Sequence, residues 1–579
     1  MKSADKFFIV AGYSSVTDYA LRVVLPIMAT TLAFFIITHF FLVFLPWYYS
    51  YIILGLGVGF IILYPLMEYQ KVKVKIDEKM HLMITYAGTI STIDIQRTVL
   101  FKNLSEKKEH FDEISKAAEK ILYFAKTWNL GFSKAARKVA SIVPSRMFAD
   151  FLDRFAIMMD FGEDLKTFLM DEQDAVMDDF EAEYKKSLET IKLIQEVFIS
   201  FTMTIAFVMS TSVLLPLIAG YPMEQIVQYS LIGVIFVDVF VYFFVRSFVP
   251  DDPLLHNLEQ KDDEFKAIQR MFYILAPIAV FFTLFLLWYK AFPFLFNIAI
   301  GLTPLLIVGI MAQNHEKLVF SKDIAFPSYI RALGSAIEVK MGAVVGSLRN
   351  LQVHDFGVLN QLSVNLYRRL RLGSDKYKAW KLYAAESGSY LIAKFSQIFS
   401  EGVYMGGNAE KIGEIISKNF NRLIALRKQR IQLASSVRGA FYGSLVGFAS
   451  ASYVAAKITQ LLSVMFTQPF SNLRGTDSSL TNLASTIVPA SALSINFEVV
   501  SLYIGIMVII HALVSSIIIK IVEGGNSYAA LFDFVVMLWI GALISWLLPT
   551  LVDMFLPNFT TQAPTEFISE TLSLGGGGE

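Results

Sequence analysis

Hydrophobic residues between positions 149 and 220 change their spacing midway along the segment. After Gly162 they recur mostly at steps of three, four or seven, with acidic residues and lysines between them: Leu165, Phe168, Leu169, Val176, Phe180, Tyr184, Leu188, Ile191 and Ile194. This period predicts a helix with one face against a core. From Val197 more than twenty residues carry no charge, enough for a helix to cross a hydrocarbon layer of about 30 Å. The pattern predicts one continuous helix from Asp164 in water into a membrane.

Similar hydrophobic runs recur along the whole chain and predict nine spans. They lie near residues 25–46, 51–67, 197–219, 227–249, 271–289, 294–312, 436–466, 497–519 and 529–556. The short links that follow the first, third and fifth spans carry one lysine among them, whereas the long polar regions are rich in lysine and arginine. The positive-inside rule therefore places both long regions and the N-terminus in the cytoplasm. Nine spans leave the tail outside, where Asn558 begins a glycosylation sequon.

The predicted spans repeat with an offset of roughly 240 to 246 positions, so the chain contains two copies of one unit. Each copy has two spans, a helical cytoplasmic domain and two more spans, which keeps both copies in the same orientation. We therefore predict an all-α polytopic membrane protein with a parallel internal repeat. Its segments are an N-terminal part with spans one and two (1–67), the first polar region (68–196), spans three and four (197–249), a cytoplasmic linker (250–270), spans five and six (271–312), the second polar region (313–435), spans seven to nine (436–556) and the extracellular tail (557–579).

Composition agrees with a membrane protein and narrows the chemistry. Of the 579 residues, 55% are hydrophobic, and the mean hydropathy is +0.53. The absence of cysteine excludes disulfides and thiolate nucleophiles, and the seven histidines never lie within five residues of one another. The sequence contains no P-loop, no G-x-S-x-G and no H-E-x-x-H. We therefore predict no enzymatic activity, no catalytic residue, no metal or other cofactor and no nucleic-acid partner.

Charge is distributed unevenly between the two polar regions. Residues 70–196 contain 20 Lys and Arg against 22 Asp and Glu, with acidic residues concentrated from Asp171 to Glu183, whereas residues 313–436 contain 18 against 9. Six basic residues fall within fourteen positions of the second region: Arg368, Arg369, Arg371, Lys376, Lys378 and Lys381. This cluster, which we call the basic surface, lies about fifty-five residues from the nearest predicted span. A protein partner is favoured over lipid here, because lipid attraction acts close to the bilayer.

A second basic group, Arg427, Lys428 and Arg430, lies just before the seventh span and suits either anionic lipid headgroups or a partner. Within that span, small residues recur every four positions at Gly439, Gly443, Gly447, Ala451 and Ala455. This spacing lets another helix approach closely, either within the monomer or in a homodimer.

Asp238 lies inside the fourth predicted span, where a carboxylate is costly unless it is paired or protonated. A hydrogen bond to a neighbouring helix is the simpler interpretation. A role in ion transport is the alternative, and it would make the chain a secondary transporter.

Two segments of the polar regions resemble a known family. FAIMMDFGEDLKTFL (155–169) and FSEGVYMGGNAEKIGEII (399–416) each contain a helix, a glycine turn and a helix that leads to the membrane. They resemble the type II secretion system F-domain superfamily. Two such domains and nine spans in one chain are similar to the platform proteins of the archaellum, the archaeal motility filament.

This resemblance implies a platform in the cell membrane without chemistry of its own. Its expected partners are a cytoplasmic hexameric motor ATPase, pilin-like filament subunits and membrane lipids, and the basic surface is the candidate ATPase-docking site. The coupling hypothesis is that the ATPase moves the polar regions and that the continuous helix transmits this motion. The platform of an adhesive type IV pilus or of a secretion system remains an alternative.

Overall fold

A computed structural model describes residues 16–36, 48–93, 95–211, 223–290, 292–473 and 497–555. Within these ranges the secondary structure is helical and no strand occurs, apart from a single isolated bridge between Leu255 and Ser389. The predicted all-α polytopic class is therefore confirmed. The C-terminal tail with Asn558 lies outside the described residues.

The described residues of the first half form helices α1 to α9, preceded by two short helical segments. A short turn, Val16–Tyr19, and the π-helical Ala20–Val24 lead into α1 (Leu25–Ile36), which is followed by α2 (Tyr48–Ser91), α3 (Arg97–Glu106), α4 (Lys108–Phe111), α5 (Glu113–Thr127), α6 (Gly131–Ala140), α7 (Arg146–Phe161), α8 (Leu165–Thr211) and α9 (Met223–Phe248).

The second half repeats this pattern of short helices between long ones. It contains α10 (Asp263–Tyr289), α11 (Phe294–Leu302), α12 (Leu305–Val339), α13 (Val344–Leu351), the 3-10 turn Gly357–Leu359, α14 (Asn360–Arg371), α15 (Lys376–Ser387), α16 (Tyr390–Tyr404), α17 (Ala409–Leu473), α18 (Phe497–Glu523), the 3-10 turn Ser527–Ala529 and α19 (Ala530–Phe555).

The chain divides into two compact units. The first comprises Met1–Tyr184, Lys322–Ser387 and Leu391–Ile424, and so contains most of both polar regions. Its core is aromatic: Phe155 packs against Phe101 in the first polar region, and Phe420 packs against Phe326 and Phe395 in the second. All five side chains are at most 3% exposed. Each polar region thus has an aromatic core of its own within this unit, and the predicted division into two helical domains stays a prediction.

The second unit comprises Lys185–Ser321, Gly388–Tyr390 and Ala425–Glu579. Its long apolar helices pack around small residues such as Ala279 and Ala312, both fully buried. The helices α9 and α18 lie side by side, as do α18 and α19. This unit holds most of the apolar helices and provides the membrane part of the protein.

The predicted number of nine spans is not confirmed. Among the described residues, six helices are long and apolar enough to cross a membrane, in α8, α9, α10, α17, α18 and the segment Ser527–Phe555. A seventh span results if α11 and α12, which meet at a bend of 49°, are counted together. Residues 37–46 of the predicted first span lie outside the described residues, so the count of nine stays a prediction.

The predicted continuous helix is confirmed, because α8 runs from Leu165 to Thr211 as one 47-residue element. Gly162, with φ +74°, ends the preceding helix in the left-handed conformation that favours glycine. Asp164 then accepts a hydrogen bond from the Thr167 amide at 3.1 Å and caps the start of α8. Local sequence therefore sets the beginning of the helix that enters the membrane.

Candidate functional site

The basic surface lies on the hairpin of α14 and α15, in the first unit. Arg368, Arg371, Lys376, Lys378 and Lys381 are exposed, and none of them forms an ion pair with a carboxylate in the described part of the chain. Arg369 differs, because its guanidinium pairs with Glu386 on α15. Five of the six predicted residues thus present positive charge to solvent.

The three basic residues before the seventh predicted span do not share one environment. Arg427 is 4% exposed and pairs with Asp252 through Nε at 2.8 Å. Arg430 is 3% exposed and donates to the carbonyls of Ile521 and Val522 at the end of α18. Burial of both guanidinium groups does not fit the predicted contact with lipid headgroups or an external partner. Only Lys428 is exposed.

The carbonyls at the C-terminus of α18 explain the position of Arg430. The last four carbonyls of a helix lack intrahelical donors, and a cation there also interacts favourably with the helix dipole. Arg430 supplies these donors to α18 and donates as well to the carbonyls of Pro250 and Asp252. Arg427 and Arg430 therefore hold the predicted cytoplasmic linker against α17 and α18 through hydrogen bonds.

A cavity of about 370 Å³ lies beside these arginines and is lined partly by Glu316, Arg438 and Glu523. Arg438 donates to Asp533 at 2.9 Å and to Glu523 at 3.1 Å. Lys520 donates to Glu316 at 2.6 Å. Sequence reasoning missed this network, because its charges lie near the ends of four different predicted spans, and only the fold brings them together.

Asp238 is 1% exposed and faces His511 of α18, whose Nδ1 lies 3.0 Å from a carboxylate oxygen. Phe198 of α8 stacks on the imidazole at 5.7 Å between ring centroids. The predicted hydrogen bond to a neighbouring helix is thus present. Its partner is 273 positions away in the sequence, where no local signal could have identified it.

The small-residue face of α17 is largely open. A side chain built at Gly439, Gly443 or Gly447 would meet no atom within 4 Å among the described residues. Ala451 is partly exposed, and Ala455 is buried. In the described part of the chain, the three glycines therefore do not serve as a close contact within the monomer.

Acidic residues of α8 and basic residues of α17 form a contact within the first unit. Arg422 pairs with Asp178 and Glu181, and Lys418 lies 2.7 Å from Asp174. Burial lowers the pKa of Arg422, but the hydrogen bonds to Glu181 and Asp178 outweigh it, and the pKa lies above its usual value. Part of the acidic segment is thus neutralised by the second polar region.

A buried polar contact lies next to these ion pairs. Asn419 of α17 donates to Gln173 Oε1 at 3.0 Å and to Thr85 Oγ1 at 2.8 Å. A Cβ atom at Gly88 of α2 would lie 2.4 Å from Gln173 Nε2, so a side chain at this position would displace the Gln173 amide. Polar groups without water need partners inside the protein, so this contact fixes the relative position of α2, α8 and α17.

Contacts between α8 and α17 join positions at nearly one sequence offset. Lys418 and Asp174 are 244 positions apart, as are Arg422 and Asp178. In the second unit, Gln195 donates to Ser436 at 3.4 Å across 241 positions. This offset matches the predicted repeat of 240 to 246, so corresponding residues of the two copies face each other.

One group among the described residues has the composition of a metal site. The ligand atoms of Asp262, Glu264 and His315 lie within 4.8 Å of one another. His315 Nε2 and Asp262 Oδ2 are only 2.6 Å apart, which is a hydrogen-bond distance. This hydrogen bond is sufficient to explain why Asp262 and His315 lie close together.

Two known proteins are similar in sequence to this chain over nearly its full length. The chain is 34% identical over 552 residues to flagella accessory protein J of Methanocaldococcus jannaschii, which covers 93% of this chain and 96% of that protein. It is 29% identical over 545 residues to flagella accessory protein J of Methanococcus voltae, covering 91% and 94%. No protein-family model and no solved structure matches the chain. By identity and coverage, the chain belongs to the family of flagella accessory protein J, the archaellum platform proteins.

Proposed function

We propose that this protein is the non-enzymatic membrane platform on which a cytoplasmic hexameric ATPase drives assembly, and rotation, of the archaellum filament. The relatives' name, flagella accessory protein, supports a motility filament over an adhesive pilus. In this proposal the polar regions and the N-terminus lie in the cytoplasm and the C-terminal tail outside. Pilin-like subunits and membrane lipids are the other partners.

One observation carries the coupling step. Helix α17 begins in the second polar region, the one that presents the basic surface, and continues through Leu473 as a single 65-residue element that contains a candidate span. Helix α8 does the same for the first polar region. A straight helix transmits displacement along its axis because every turn is hydrogen-bonded to the next. A load on a polar region therefore reaches the membrane part without crossing a loop.

The basic surface is the proposed docking site for the ATPase. Its five exposed cations have no acidic partner in the described part of the chain, so an acidic surface on another protein can approach them without first breaking an ion pair. Complementary charge steers association and fixes orientation. Arg369 has a structural role instead, because it already holds Glu386.

Charge reversal tests this docking. We expect the triple variant Arg368→Glu, Arg371→Glu, Lys378→Glu, in full-length protein in neutral-lipid nanodiscs, to bind the ATPase at least a hundredfold more weakly. Mismatched charge at an interface costs several kcal/mol. Binding of the wild-type protein should also weaken with salt, because the Debye length falls from about 10 Å at 0.1 M to about 3 Å at 1 M. Surface plasmon resonance would measure both effects.

The matched control is Lys120→Glu, Lys126→Glu, Lys138→Glu, which reverses three exposed lysines of the first polar region. It makes the same change in net charge and should retain ATPase binding. Equal losses in both variants would show that only net charge matters. Unchanged ATPase binding in the first variant, with reduced binding of nanodiscs containing anionic lipid, would assign the basic surface to lipid.

A further inference from the structure

Five polar side chains form a chain of contacts between the two polar regions within the first unit. Lys107 and His110 come from the first region, and Lys394, Gln397 and Glu401 come from α16 of the second. Lys107 lies 2.6 Å from Glu401, Gln397 Nε2 lies 2.9 Å from Glu401 and 3.0 Å from His110 Nε2, and Lys394 Nζ lies 3.0 Å from His110 Nδ1. We call these five side chains the relay.

The direction of the relay is set at Glu401. Its Oε2 accepts from the Lys107 ammonium, a short charge-assisted contact that requires the carboxylate to be ionised. The other oxygen, Oε1, therefore needs a donor, and Gln397 must face it with its NH₂ group. The reverse amide orientation would place two acceptor oxygens 2.9 Å apart.

The second hydrogen of the same amide points at His110 Nε2, which must accept it. A neutral imidazole has one donor and one acceptor nitrogen. His110 therefore carries its proton on Nδ1, the atom that faces Lys394. A protonated Lys394 has three donors and no lone pair, and it would oppose the Nδ1–H group. Only a neutral amine can accept this hydrogen.

We propose that Lys394 is a proton-binding site whose neutral amine closes a hydrogen-bond relay between the two polar regions, and that protonation of this amine reverses the relay. In the protonated state Lys394 donates to Nδ1, the imidazole proton moves to Nε2, and the Gln397 amide turns its oxygen toward it. Glu401 then loses its donor from Gln397 and faces an amide oxygen instead, so these two side chains must move apart. One proton at Lys394 thus changes the hydrogen bonding of Glu401, three side chains away, and with it the Lys107–Glu401 ion pair.

The surrounding groups agree with a neutral amine. Burial, followed by the charge of Lys79 on α2, lowers the pKa of Lys394 to about 8, while Glu109 acts in the opposite direction. Burial, together with Lys394 and Lys107, lowers the pKa of His110 to about 4, against Glu401 and Glu109. Burial also raises the pKa of Tyr86, which lies under Lys107, so Tyr86 stays neutral. Lys394 is therefore the group of the relay that changes charge around neutral to mildly alkaline pH.

The sign of the pH effect follows from the lowered pKa. Between about pH 8 and the usual lysine value of 10.5, the unfolded chain binds a proton at Lys394 that the folded protein does not. The contribution of Lys394 to folding stability therefore rises with pH across this window, and its full penalty applies below pH 8.

Competitive labelling of the full-length protein tests the proposal. The protein in nanodiscs is treated with trace acetic anhydride from pH 6 to 11, and acetylation of each lysine is counted by mass spectrometry. We expect half-maximal reactivity of Lys394 near pH 8 and of the exposed Lys378 near its usual value. In Gln397→Met, His110 Nε2 loses its donor and Nδ1 becomes free to accept, so the Lys394 midpoint should rise by one pH unit or more.

The exposed Gln361 supplies the control, because Gln361→Met makes the same chemical change outside the relay and should leave the Lys394 midpoint in place. A wild-type midpoint for Lys394 equal to that of Lys378 would overturn the neutral amine, whatever the variants do. A low midpoint that Gln397→Met leaves unchanged would overturn the relay, since burial alone would then explain it.

Discussion

Buried charged residues of the second unit contact partners that lie far away in the sequence. Asp238 was identified because a carboxylate in an apolar span stands out, but its partner, His511, looked unremarkable in its own span. Arg427 and Arg430 stand out by their position before a predicted span, which suits either lipid headgroups or a partner. The structure instead directs them to Asp252 and to helix-end carbonyls. A charged residue can be recognised from the sequence, whereas the group that neutralises it depends on the fold.

Replacing Asp238 tests how much its contact with His511 contributes to the stability of the protein. We expect Asp238→Leu to lower the free energy of unfolding by about 1 to 2 kcal/mol, because His511 would remain buried without its partner. Asp238→Asn keeps a hydrogen-bond acceptor and should cost less. Thermal unfolding in detergent would rank the three proteins. Identical stability of all three would show that the pair contributes nothing.

The transporter hypothesis makes a different forecast for the same variants. Proton flux into proteoliposomes that is present in the wild type and lost in Asp238→Asn would support it. Equal flux in the wild type, in Asp238→Asn and in protein-free liposomes would leave Asp238 with a packing role.

Elements were predicted more securely than partners, because helical periodicity is a local property. Of the nine residues in the predicted stripe of α8, eight are buried, and Ile194 is half-buried. The stripe also explains why α8 is stable over 47 residues: its hydrophobic face has a core to pack against, and its other face carries the charges. The sequence could not show that part of this charged face meets α17.

A proline in α8 tests whether its continuity matters. Val176 is fully buried and lies in the part of α8 that belongs to the polar region. Val176→Pro removes a backbone donor and clashes with the preceding turn, at a cost of about 3 kcal/mol or more. We expect the protein to insert into the membrane while filament assembly and swimming fail, as scored by immunoblotting of membranes and by electron microscopy of cells.

Val176→Ala is the matched control, because it reduces packing at the same site and keeps the backbone intact. It should assemble filaments. Normal filaments in Val176→Pro would disprove transmission through a continuous helix, and failure of both variants would attribute the defect to lost packing.

At the scale of the whole molecule, the repeat could be predicted and the pairing of its copies could not. Equal spacing of hydrophobic runs is visible in one dimension. The excess of acid in one polar region and of base in the other was visible as well, but it suggested external partners. In the structure, Arg422 and Lys418 face acidic residues of the same chain, whereas the basic surface does not. Charge counts cannot distinguish internal from external complementarity.

The open glycine face of α17 makes a prediction about association. Gly443→Leu places a large side chain where the described residues leave open space, so the monomer should keep its thermal stability. If two copies meet at this face, the variant should lose the dimer, because close backbone approach is the main attraction between helices in lipid. Crosslinking and native mass spectrometry would measure the dimer fraction.

Gly233→Leu is the matched control, because it makes the same change at an open glycine of another apolar helix, α9, and should leave the dimer fraction unchanged. A stable Gly443→Leu variant with an unaltered oligomeric state would dismiss the glycine face as a contact. A destabilised one would return it to packing within the monomer.

The contacts between corresponding residues of α8 and α17 have a consequence for which helices can pair. Two identical helices that meet at corresponding positions would place each charge against its own copy, and two α8 helices would bring Asp178 against Asp178. Here the copies have diverged to opposite signs, so α8 attracts α17 and repels another α8. The duplicated halves thus recognise each other as unlike partners. The two copies therefore cannot substitute for each other at this contact, because a second α8 in place of α17 would set acidic side chains against acidic side chains.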